Sequence, residues 1–238
     1  RTTYVIVANS NIVFNTKFDE LIKSHKQTGA DISVMYNKDG LKSGKPFYIL
    51  DTDKNGFVKD MLFNPEKSSS NKSSLGVICL RRDLLIDSIA RQKAHGLTHF
   101  GIHSFVKMYD ELKVHALEYN GVVLRINNVQ SYFYSSMSLI DDAIRNDLFW
   151  NGEPVYTKVK DEAPTLYFDN ANVGNAIISD GCRIYGNVEE SIIFRGVTIS
   201  KNTTIKNCII MQDSHISENC QLENVILDKN SFVRPGVR

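Results

Sequence analysis

The sequence predicts an α/β domain with a mostly parallel sheet, followed by a parallel β-helix of hexapeptide repeats. Two observations predict this architecture. Strand and helix signals alternate through residues 1–150, which is the order typical of an α/β domain. Between residues 173 and 237 an aliphatic side chain returns every five or six positions, and such fixed-period repetition indicates stacked coils. Residues 151–170, with Pro154 and Pro164, are interpreted as a connector, and residues 171–238 as the coil.

The elements of the α/β part follow from local signals. Residues 4–8 form an apolar run typical of a strand buried on both faces, and a helix over 18–28 ends at Gly29. Asn128 is placed to cap a long helix over 129–149. The other elements are, in order, a strand at 32–36, a hairpin turning at 53–56, a strand at 75–80, a helix over 83–94 closed by Gly96, a short helix from Ser104, and two strands within 114–126 that turn at Asn120-Gly121.

The coil repeats with a period of 17 residues from Ile193 onward. Ile193 recurs as Ile210 and then Leu227, and Ile199 recurs as Ile216. Each repeat predicts three short strands whose aliphatic side chains point inward and stack on the next turn. The fourth position after each start is small or β-branched in most hexads: Cys182, Val188, Val197, Thr203, Ser214, Cys220, Ser231 and Val237. Corners are expected at 180–181, 186–187, 201–202, 218–219 and 229–230, where Gly, Asn and Asp tolerate left-handed backbone.

Composition and charge exclude several classes of function. The 238 residues are enough for one large or two ordinary domains. A net charge of +1 argues against a nucleic-acid partner or an anionic membrane surface, because both favour a strongly basic face. No apolar run reaches the ~18 residues of a membrane span. The four cysteines form no CxxC pair and are interpreted as buried thiols in a reducing cytoplasm.

The beginning of the sequence is unusual for an α/β domain. The chain opens directly into a strand of the buried type, and no glycine-rich phosphate loop occurs in it. Domains of this kind normally place such a loop after their first strand. We therefore expect that the first part of the α/β domain is missing from this sequence.

Several segments together resemble the sugar-nucleotide pyrophosphorylases, and most closely ADP-glucose pyrophosphorylase and its GlgD type of subunit. The segments that carry the resemblance are 4–25, 29–34, 74–78, 129–133, 188–197 and 209–213. It covers essentially the whole chain, and the coil segments are the most specific. The resemblance implies a partial Rossmann-like nucleotidyltransferase domain followed by a left-handed parallel β-helix. It also implies a reaction in which ATP and glucose 1-phosphate give ADP-glucose and pyrophosphate, with Mg²⁺.

The chain departs from the family pattern at charged positions. Catalytic members read S-G-D-H after the first strand, where the Asp holds Mg²⁺, and Asn11 stands at that position here. The second metal carboxylate, in W-x-D-V-G-T, becomes Arg125. The sugar-phosphate lysine of F-x-E-K-P becomes Asn64, preceded by Phe63 in place of the Glu, and D-F-G-x-D reads as residues 99–103 with histidines at both ends. An amide cannot neutralise a divalent ion, and a cation repels it.

These departures set the expectations for the site. We expect no catalytic residue and no metal in this chain, with Mg²⁺ confined to the catalytic family members. A remnant sugar-phosphate pocket is expected around Ser74, Phe100 and Gly101. The expected partner is a catalytic-type ADP-glucose pyrophosphorylase subunit in a homo- or hetero-oligomer, in the cytoplasm.

Other polar clusters have simpler interpretations than a site. His99 and His103 have the spacing of a zinc pair but lack the Glu of H-E-x-x-H, and Gly101 disfavours a helix there. His215 has the residue type of a coil general base in acyltransferases, but a lone histidine is more often solvated. Two charged pairs are also interpreted as structural or weakly anion-binding: Asp141-Asp142 on the long helix, and Arg81-Arg82 before a helix.

Two alternative functions stay open beside the degenerate, regulatory subunit. An active nucleotidyltransferase would need a carboxylate from elsewhere, and Asp51, Asp53 and Asp60 are the candidates. A scaffold would use the open ends and flat faces of the coil to form an oligomer.

Overall fold

The protein is described from a computed structural model, which covers residues 3–38, 48–63, 65, 68–94, 96, 112–150 and 152–238. The chain divides into two compact units, Arg1–Asn127 and Asn128–Arg238. This division lies earlier than residue 150, where the sequence places the end of the α/β domain. The helices after Asn128 belong to the second unit because they pack on the coil, as described below.

The first unit contains eight described strands and two described helices. They are β1 Tyr4–Ala8, β2 Ile12–Val13, α1 Asp19–Thr28, β3 Ile32–Asn37, β4 Tyr48–Thr52, β5 Val58–Phe63, β6 Ser73–Arg81, α2 Arg82–Ala94, β7 Val114–Glu118 and β8 Leu124–Arg125. The predicted helix after Ser104 lies outside the described residues.

The main sheet of this unit is mixed, and the expectation of a mostly parallel sheet is wrong. The strand order is β5-β4-β6-β3-β7, with β1 also paired to β6. Among the described strands of this sheet, β3 and β7 are the parallel pair, and the other pairings are antiparallel. β6, the longest strand, runs antiparallel to β1, β3 and β4. β4 and β5 are joined as a hairpin, and the two strands of a hairpin always pair antiparallel.

Both faces of the sheet are covered. On one face, Leu21 of α1 packs with Met35, Leu75 and Cys79. On the other face, Ile32, Val34, Leu50 and Ile78 form a second cluster, against which Leu84 and Leu85 of α2 pack. The α/β class predicted from the sequence is therefore confirmed, and Gly29 ends α1 in the left-handed conformation, with a φ of 61°, as predicted.

The two strands predicted within 114–126 exist but do not form a hairpin. β7 pairs with β3 in the main sheet, whereas β8 pairs with β2 in a separate two-stranded ladder. The Asn120-Gly121 signal marks a change of direction between two sheets. Local turn chemistry cannot distinguish this from a hairpin.

The second unit opens with a helical segment that is broken once. α3 spans Val129–Met137, a 3-10 turn spans Ser138–Ile140, and α4 spans Asp142–Phe149. Asn128 caps α3 through a full capping box with Ser131, as predicted. The single long helix predicted over 129–149 is interrupted because Asp141 adopts an extended conformation and caps α4 by accepting from the backbone N–H of Ala143.

The coil contains three parallel sheets, two of four strands and one of five. Its strands are β9 Leu166–Tyr167, β10 Asn172–Gly174, β11 Ile177–Ile178, β12 Arg183–Ile184, β13 Asn187–Glu189, β14 Ile192–Ile193, β15 Thr198–Ile199, β16 Thr204–Lys206, β17 Ile209–Ile210, β18 His215–Ile216, β19 Gln221–Glu223, β20 Ile226–Leu227 and β21 Phe232–Val233. β9 pairs with β12, so the first strand of the coil lies inside the segment interpreted as the connector.

The predicted period of the coil is confirmed by the strand register. Ile193 pairs with Ile210, and Ile199 pairs with Ile216, each 17 residues apart. The preceding turn is two residues shorter, because Ile178 pairs with Ile193. Val188 is one of the small or β-branched residues at the fourth position of a hexad. It is an inward strand residue, paired with Ile205.

Most predicted corners are left-handed, and one is not. Gly181, Asn202, Asn219 and Asn230 have positive φ values, as predicted. Gly186 is required for a different reason, since a Cβ there would lie 2.3 Å from the backbone oxygen of Thr203 on the next turn. The predicted glycine is thus needed for close backbone approach rather than for backbone handedness.

One outer face of the coil is apolar. Ile192 and Ile209 precede the inward residues Ile193 and Ile210, so they point to the outer side of their strands. They are nevertheless buried, with exposed fractions of 9% and 0%. α3 contacts β17 on this face, which explains why the helical segment and the coil form one unit.

Candidate functional site

The structure brings together Asn11 and Arg125, the two positions at which the resemblance implies metal carboxylates in catalytic members. Asn11 lies in the turn between β1 and β2, and Arg125 lies in β8. β2 and β8 pair antiparallel, with Ile12 opposite Arg125. The backbone N–H of Ile126 also donates to the carbonyl of Asn11 over 2.8 Å. Two positions more than a hundred residues apart in the chain are therefore neighbours at the carboxyl end of β1.

A pair of amides stands at this end of β1. Asn11 Nδ2 donates to Asn127 Oδ1 over 2.6 Å. Asn127 was not predicted as a site residue, and the sequence signal that could have identified it is its place two residues after Arg125 in the same family segment. The pair is held by hydrogen bonds between neutral groups, so it brings no negative charge to the position.

Arg125 is among the largest fully buried side chains of the described protein, with an exposed fraction of 1%. One terminal nitrogen, Nη2, donates to the backbone carbonyl of Ser74 over 2.8 Å. Burial lowers the pKa of the guanidinium from its usual range, because the charged form loses water. Arg125 thus ties β8 to β6 from inside the unit.

Ser74 lies at an irregular stretch of β6. The pairing of β3 with β6 shifts register between Val34 and Tyr36, which marks a β-bulge. Gly76 lies within it at a φ of +67°, and a Cβ there would lie 2.0 Å from Asn9 Nδ2. The backbone N–H of Gly76 donates to Ser74 Oγ over 3.1 Å. The bulge therefore lets the Asn9 side chain sit directly on the backbone of β6.

The side chains at this position do not fit Mg²⁺, which the resemblance implies for the catalytic members. Mg²⁺ prefers carboxylate and phosphate oxygens. The residues that converge here are Asn9, Asn11, Asn127 and Arg125, and the guanidinium carries a positive charge that repels a divalent cation. Within the described part of the chain, no group of three or more His, Cys, Asp or Glu side chains is arranged to hold a metal.

The remaining predicted site residues are only partly described. Asn64, Phe100 and Gly101 lie outside the described residues, as do His99 and His103. Of the expected remnant pocket, Ser74 alone is therefore placed. It is 1% exposed, with its side chain turned to the bulge.

The alternative carboxylates are placed on the β4–β5 hairpin. Asp53 forms the turn by accepting from the backbone N–H groups of Asn55 and Phe57. Asp51 lies opposite Asp60 in the ladder between the two strands. Asp53 therefore has a structural role.

The other polar clusters have structural partners. His215 stacks on Phe232 with ring centroids 5.2 Å apart, and Arg81 lies 3.4 Å from Asp83. Asp142 bonds with Arg145 on α4. All four cysteines are free and buried, and burial raises the pKa of Cys79, Cys182 and Cys208. None of the helices in the described ranges is long and apolar enough to cross a membrane.

The chain is similar to known proteins both in its coil and over nearly its whole length. Residues 165–238 match a family model described as GlmU-like, C-terminal hexapeptide. The chain is 31% identical to the glycogen biosynthesis protein GlgD of Bacillus subtilis, over 95% of this chain and 56% of that protein. It is 27% identical to the glucose-1-phosphate adenylyltransferase of Acetivibrio thermocellus, over 99% of this chain and 56% of that protein. The corresponding enzyme of Fervidobacterium nodosum is 26% identical, over 99% and 57%. The chain is thus a homologue of the glucose-1-phosphate adenylyltransferases and GlgD over nearly its whole length, and it spans little more than half of theirs.

Proposed function

We propose that this chain is part of a catalytically degenerate subunit that acts in glycogen biosynthesis beside a catalytic glucose-1-phosphate adenylyltransferase subunit. The observation that carries the proposal is the convergence of Asn11 and Arg125. The resemblance puts metal carboxylates at both positions in catalytic members. Here the same place holds an amide pair and a buried guanidinium.

The chemistry of the reaction supports this proposal. Transfer of a nucleotidyl group to a sugar phosphate brings anionic oxygens together, and a divalent ion normally neutralises them. We do not expect Arg125 to replace that ion, because its side chain is fully buried inside the unit, where Nη2 donates to the carbonyl of Ser74. We therefore expect the protein to lack turnover of its own and to act by binding the catalytic subunit and adjusting its rate.

An active nucleotidyltransferase is the second candidate. It is favoured by the named relatives, since two of the three quoted above are glucose-1-phosphate adenylyltransferases that match 99% of this chain. Such an enzyme would have to draw its metal carboxylates from outside the site described here.

One assay separates the two candidates. Pyrophosphate release from ATP and glucose 1-phosphate, with Mg²⁺, is measured for the full-length protein alone, for the catalytic subunit alone, and for their mixture. The regulatory proposal expects no release from the protein alone and a changed rate or saturation curve in the mixture. A heat-denatured sample of the same protein is the control for the mixture. Robust release by the protein alone would refute the degenerate assignment, and an unchanged mixture would refute the regulatory role.

The same mixture tests the expected partner. We expect the two subunits of the mixture to co-sediment as one oligomer. In cells, we expect both subunits in the cytoplasmic fraction. Sedimentation of two separate species at concentrations that change the rate would contradict a stable complex.

A further inference from the structure

A second cluster of charged side chains lies at the carboxyl ends of neighbouring strands of the main sheet, and it consists of residues other than Asn11 and Arg125. β3, β4 and β7 run in the same direction, because β3 is parallel to β7 and both β3 and β4 are antiparallel to β6. Their carboxyl ends therefore face the same edge. In open α/β sheets, the carboxyl ends of parallel strands are where ligands bind.

Each of these strands supplies a polar group there. Tyr36 is the fifth residue of β3, and Lys38 follows that strand directly. Glu118 ends β7 and is paired in register with Tyr36. Thr52 ends β4, and Lys72 comes just before β6. The anion cluster is defined here as these five residues.

Two contacts of the cluster meet at one carboxylate oxygen, and two others join Lys72 to its neighbours. Tyr36 Oη donates to Glu118 Oε2 over 3.0 Å, and Lys38 Nζ lies 2.5 Å from the same oxygen. Lys72 Nζ lies 5.5 Å from the centroid of the Tyr36 ring and bonds with Thr52 Oγ1. One ammonium group and one hydroxyl thus contact the carboxylate, and a second ammonium group, bonded to a threonine hydroxyl, lies beside the Tyr36 ring.

The charges of the cluster do not cancel. The two lysines face a single glutamate, so the cluster carries a net charge of +1. The electrostatics agree with the contacts: the pKa of Glu118 is lowered, first by its bond with Lys38, and Lys72 adds to the effect. Burial and the bond with Glu118 raise the pKa of Tyr36 to about 12, so its hydroxyl remains a donor at neutral pH.

The cluster also stays within reach of solvent. The side chain of Lys38 is 46% exposed and that of Glu118 is 29% exposed. An entering anion can therefore replace the Glu118 carboxylate without unfolding a strand. A phosphate group has more acceptor oxygens and more negative charge than a carboxylate, so it can use both lysines and the tyrosine hydroxyl at once.

We propose that Tyr36, Lys38, Lys72 and Thr52 form a binding site for the phosphate group of a small molecule, and that Glu118 is its internal competitor. The site needs no metal, because the lysines supply the positive charge. It uses none of the residues of the amide pair at Asn11, and its test does not depend on catalysis.

The test measures the affinity of the full-length protein for inorganic phosphate by calorimetric titration. A metal chelator is present and the ionic strength is kept constant. Glu118→Gln removes the competing charge and keeps the shape of the side chain. It should bind phosphate about tenfold more tightly than the parent protein, the effect of one charge-assisted hydrogen bond. Adding Lys72→Gln to that variant should reverse the gain. Lys23→Gln is the matched control, since Lys23 is an exposed lysine of α1, the helix that packs on the opposite face of the sheet.

Several results would overturn the proposal. One is equal phosphate affinity in the parent protein and Glu118→Gln. Another is a heat of binding that chloride reproduces at the same ionic strength, because ionic screening alone would then explain it. If Glu118→Gln does not fold, the single variants Lys38→Gln and Lys72→Gln serve instead, and phosphate affinity as strong as in Lys23→Gln would refute the site.

Titration with glucose 1-phosphate and with glucose shows whether the site binds the phosphate group of a sugar phosphate. Glucose 1-phosphate that binds as tightly as inorganic phosphate, or more tightly, supports a site that reads the phosphate group. Glucose alone binding as tightly as glucose 1-phosphate would contradict it, because the sugar would then carry the affinity.

Discussion

At the scale of single residues, Arg125 has the clearest expected effect on stability. Its side chain is fully buried, and its guanidinium donates to the carbonyl of Ser74. Arg125→Ala leaves a cavity and an unsatisfied buried acceptor, so the free energy of unfolding should fall by about 2–4 kcal/mol. Urea denaturation, followed by circular dichroism, measures this change.

The control for Arg125 is an arginine at the surface. Arg82 is exposed at the start of α2, and Arg82→Ala should change the free energy of unfolding by less than about 0.5 kcal/mol. Equal losses in the two variants would show that the tie between β8 and β6 contributes nothing to stability.

His25 makes the first unit sensitive to acid. It is 3% exposed, and its Nδ1 lies 2.9 Å from Ser33 Oγ. Burial lowers its pKa below 6.5, Asp31 partly opposes this, and Arg81 reinforces it. As the pH falls, His25 of the unfolded chain therefore binds a proton at a higher pH than His25 of the folded chain does. The stability that neutral His25 contributes is complete above the unfolded pKa, is lost as pH falls below 6.5, and stops declining at the lowered folded pKa.

We expect the free energy of unfolding to decrease between pH 7.5 and pH 5.5, and His25→Gln to reduce that slope. Glutamine is neutral throughout this range and keeps a polar contact to Ser33. Lys23→Gln, on the same helix, is the control and should keep the parental slope. A slope in His25→Gln as steep as in the parent protein would assign the acid sensitivity to other groups.

At the scale of elements, one corner of the coil carries an unfavourable residue. Three residues of this corner column are asparagines with positive φ: Asn175, Asn207 and Asn224. The fourth is Glu190, with a φ of 45°, and a glutamate tolerates the left-handed region less well than asparagine. Glu190→Asn should therefore stabilise the coil by about 0.5–1 kcal/mol.

Urea denaturation with a probe for the coil measures this gain. Glu223→Asn is the matched control, because Glu223 lies in a strand, where asparagine is disfavoured. Its midpoint should stay equal or fall. A midpoint for Glu190→Asn no higher than that of the parent protein would show that this corner stores no strain.

The sequence predicts the strand positions of the coil well, and its hydrogen bonds poorly. The 17-residue spacing was readable because each inward residue must be aliphatic. The sequence shows only that the fourth position of most hexads is small or β-branched. Thr203 at such a position also forms hydrogen bonds: its Oγ1 donates to the carbonyl of Ser217 over 2.7 Å and accepts from the backbone N–H of Cys220 over 3.2 Å. A small size is visible in a sequence, whereas a partner on the next turn is not.

The direction of the main sheet could not be predicted for a related reason. The run of residues 4–8 reads as a strand in either direction, because its continuous apolar pattern lacks the alternation that would show an exposed side. The predicted burial on both faces is wrong, since β1 is only partly buried and Ala8 is exposed. The pairing of β1 with β6 depends on contacts more than sixty residues away. The candidate site was also only partly predictable, because its geometry depends on contacts between distant parts of the chain. Asn11 and Arg125 were identified by position in family segments, and only the fold shows that they are neighbours.

At the scale of the whole molecule, the second unit should fold by itself. Its core is closed within the coil, and α3 contacts β17, whose outer residue Ile209 is fully buried. We expect a fragment of residues 128–238 to unfold in one cooperative transition, as monitored by circular dichroism.

The matched fragment is residues 160–238, which lacks the helices. We expect it to expose Ile209 of β17, and an uncovered apolar face favours association. We expect a lower midpoint or self-association for this fragment. Equal midpoints and equal solubility would show that the helical segment does not protect the coil, and an unfolded 128–238 fragment would contradict its independence.

The register of the coil also limits how its length can change in evolution. Because Ile193 lies over Ile210 and Ile210 lies over Leu227, loss or duplication of one whole turn returns every side chain to an equivalent place. Loss of a single residue instead turns the inward side chains of a strand outward. The coil is therefore expected to gain or lose length mainly by complete turns, so that the coils of related proteins differ in the number of turns. The shorter turn between Ile178 and Ile193 shows that a corner can give up two residues together, which keeps the alternation of faces intact.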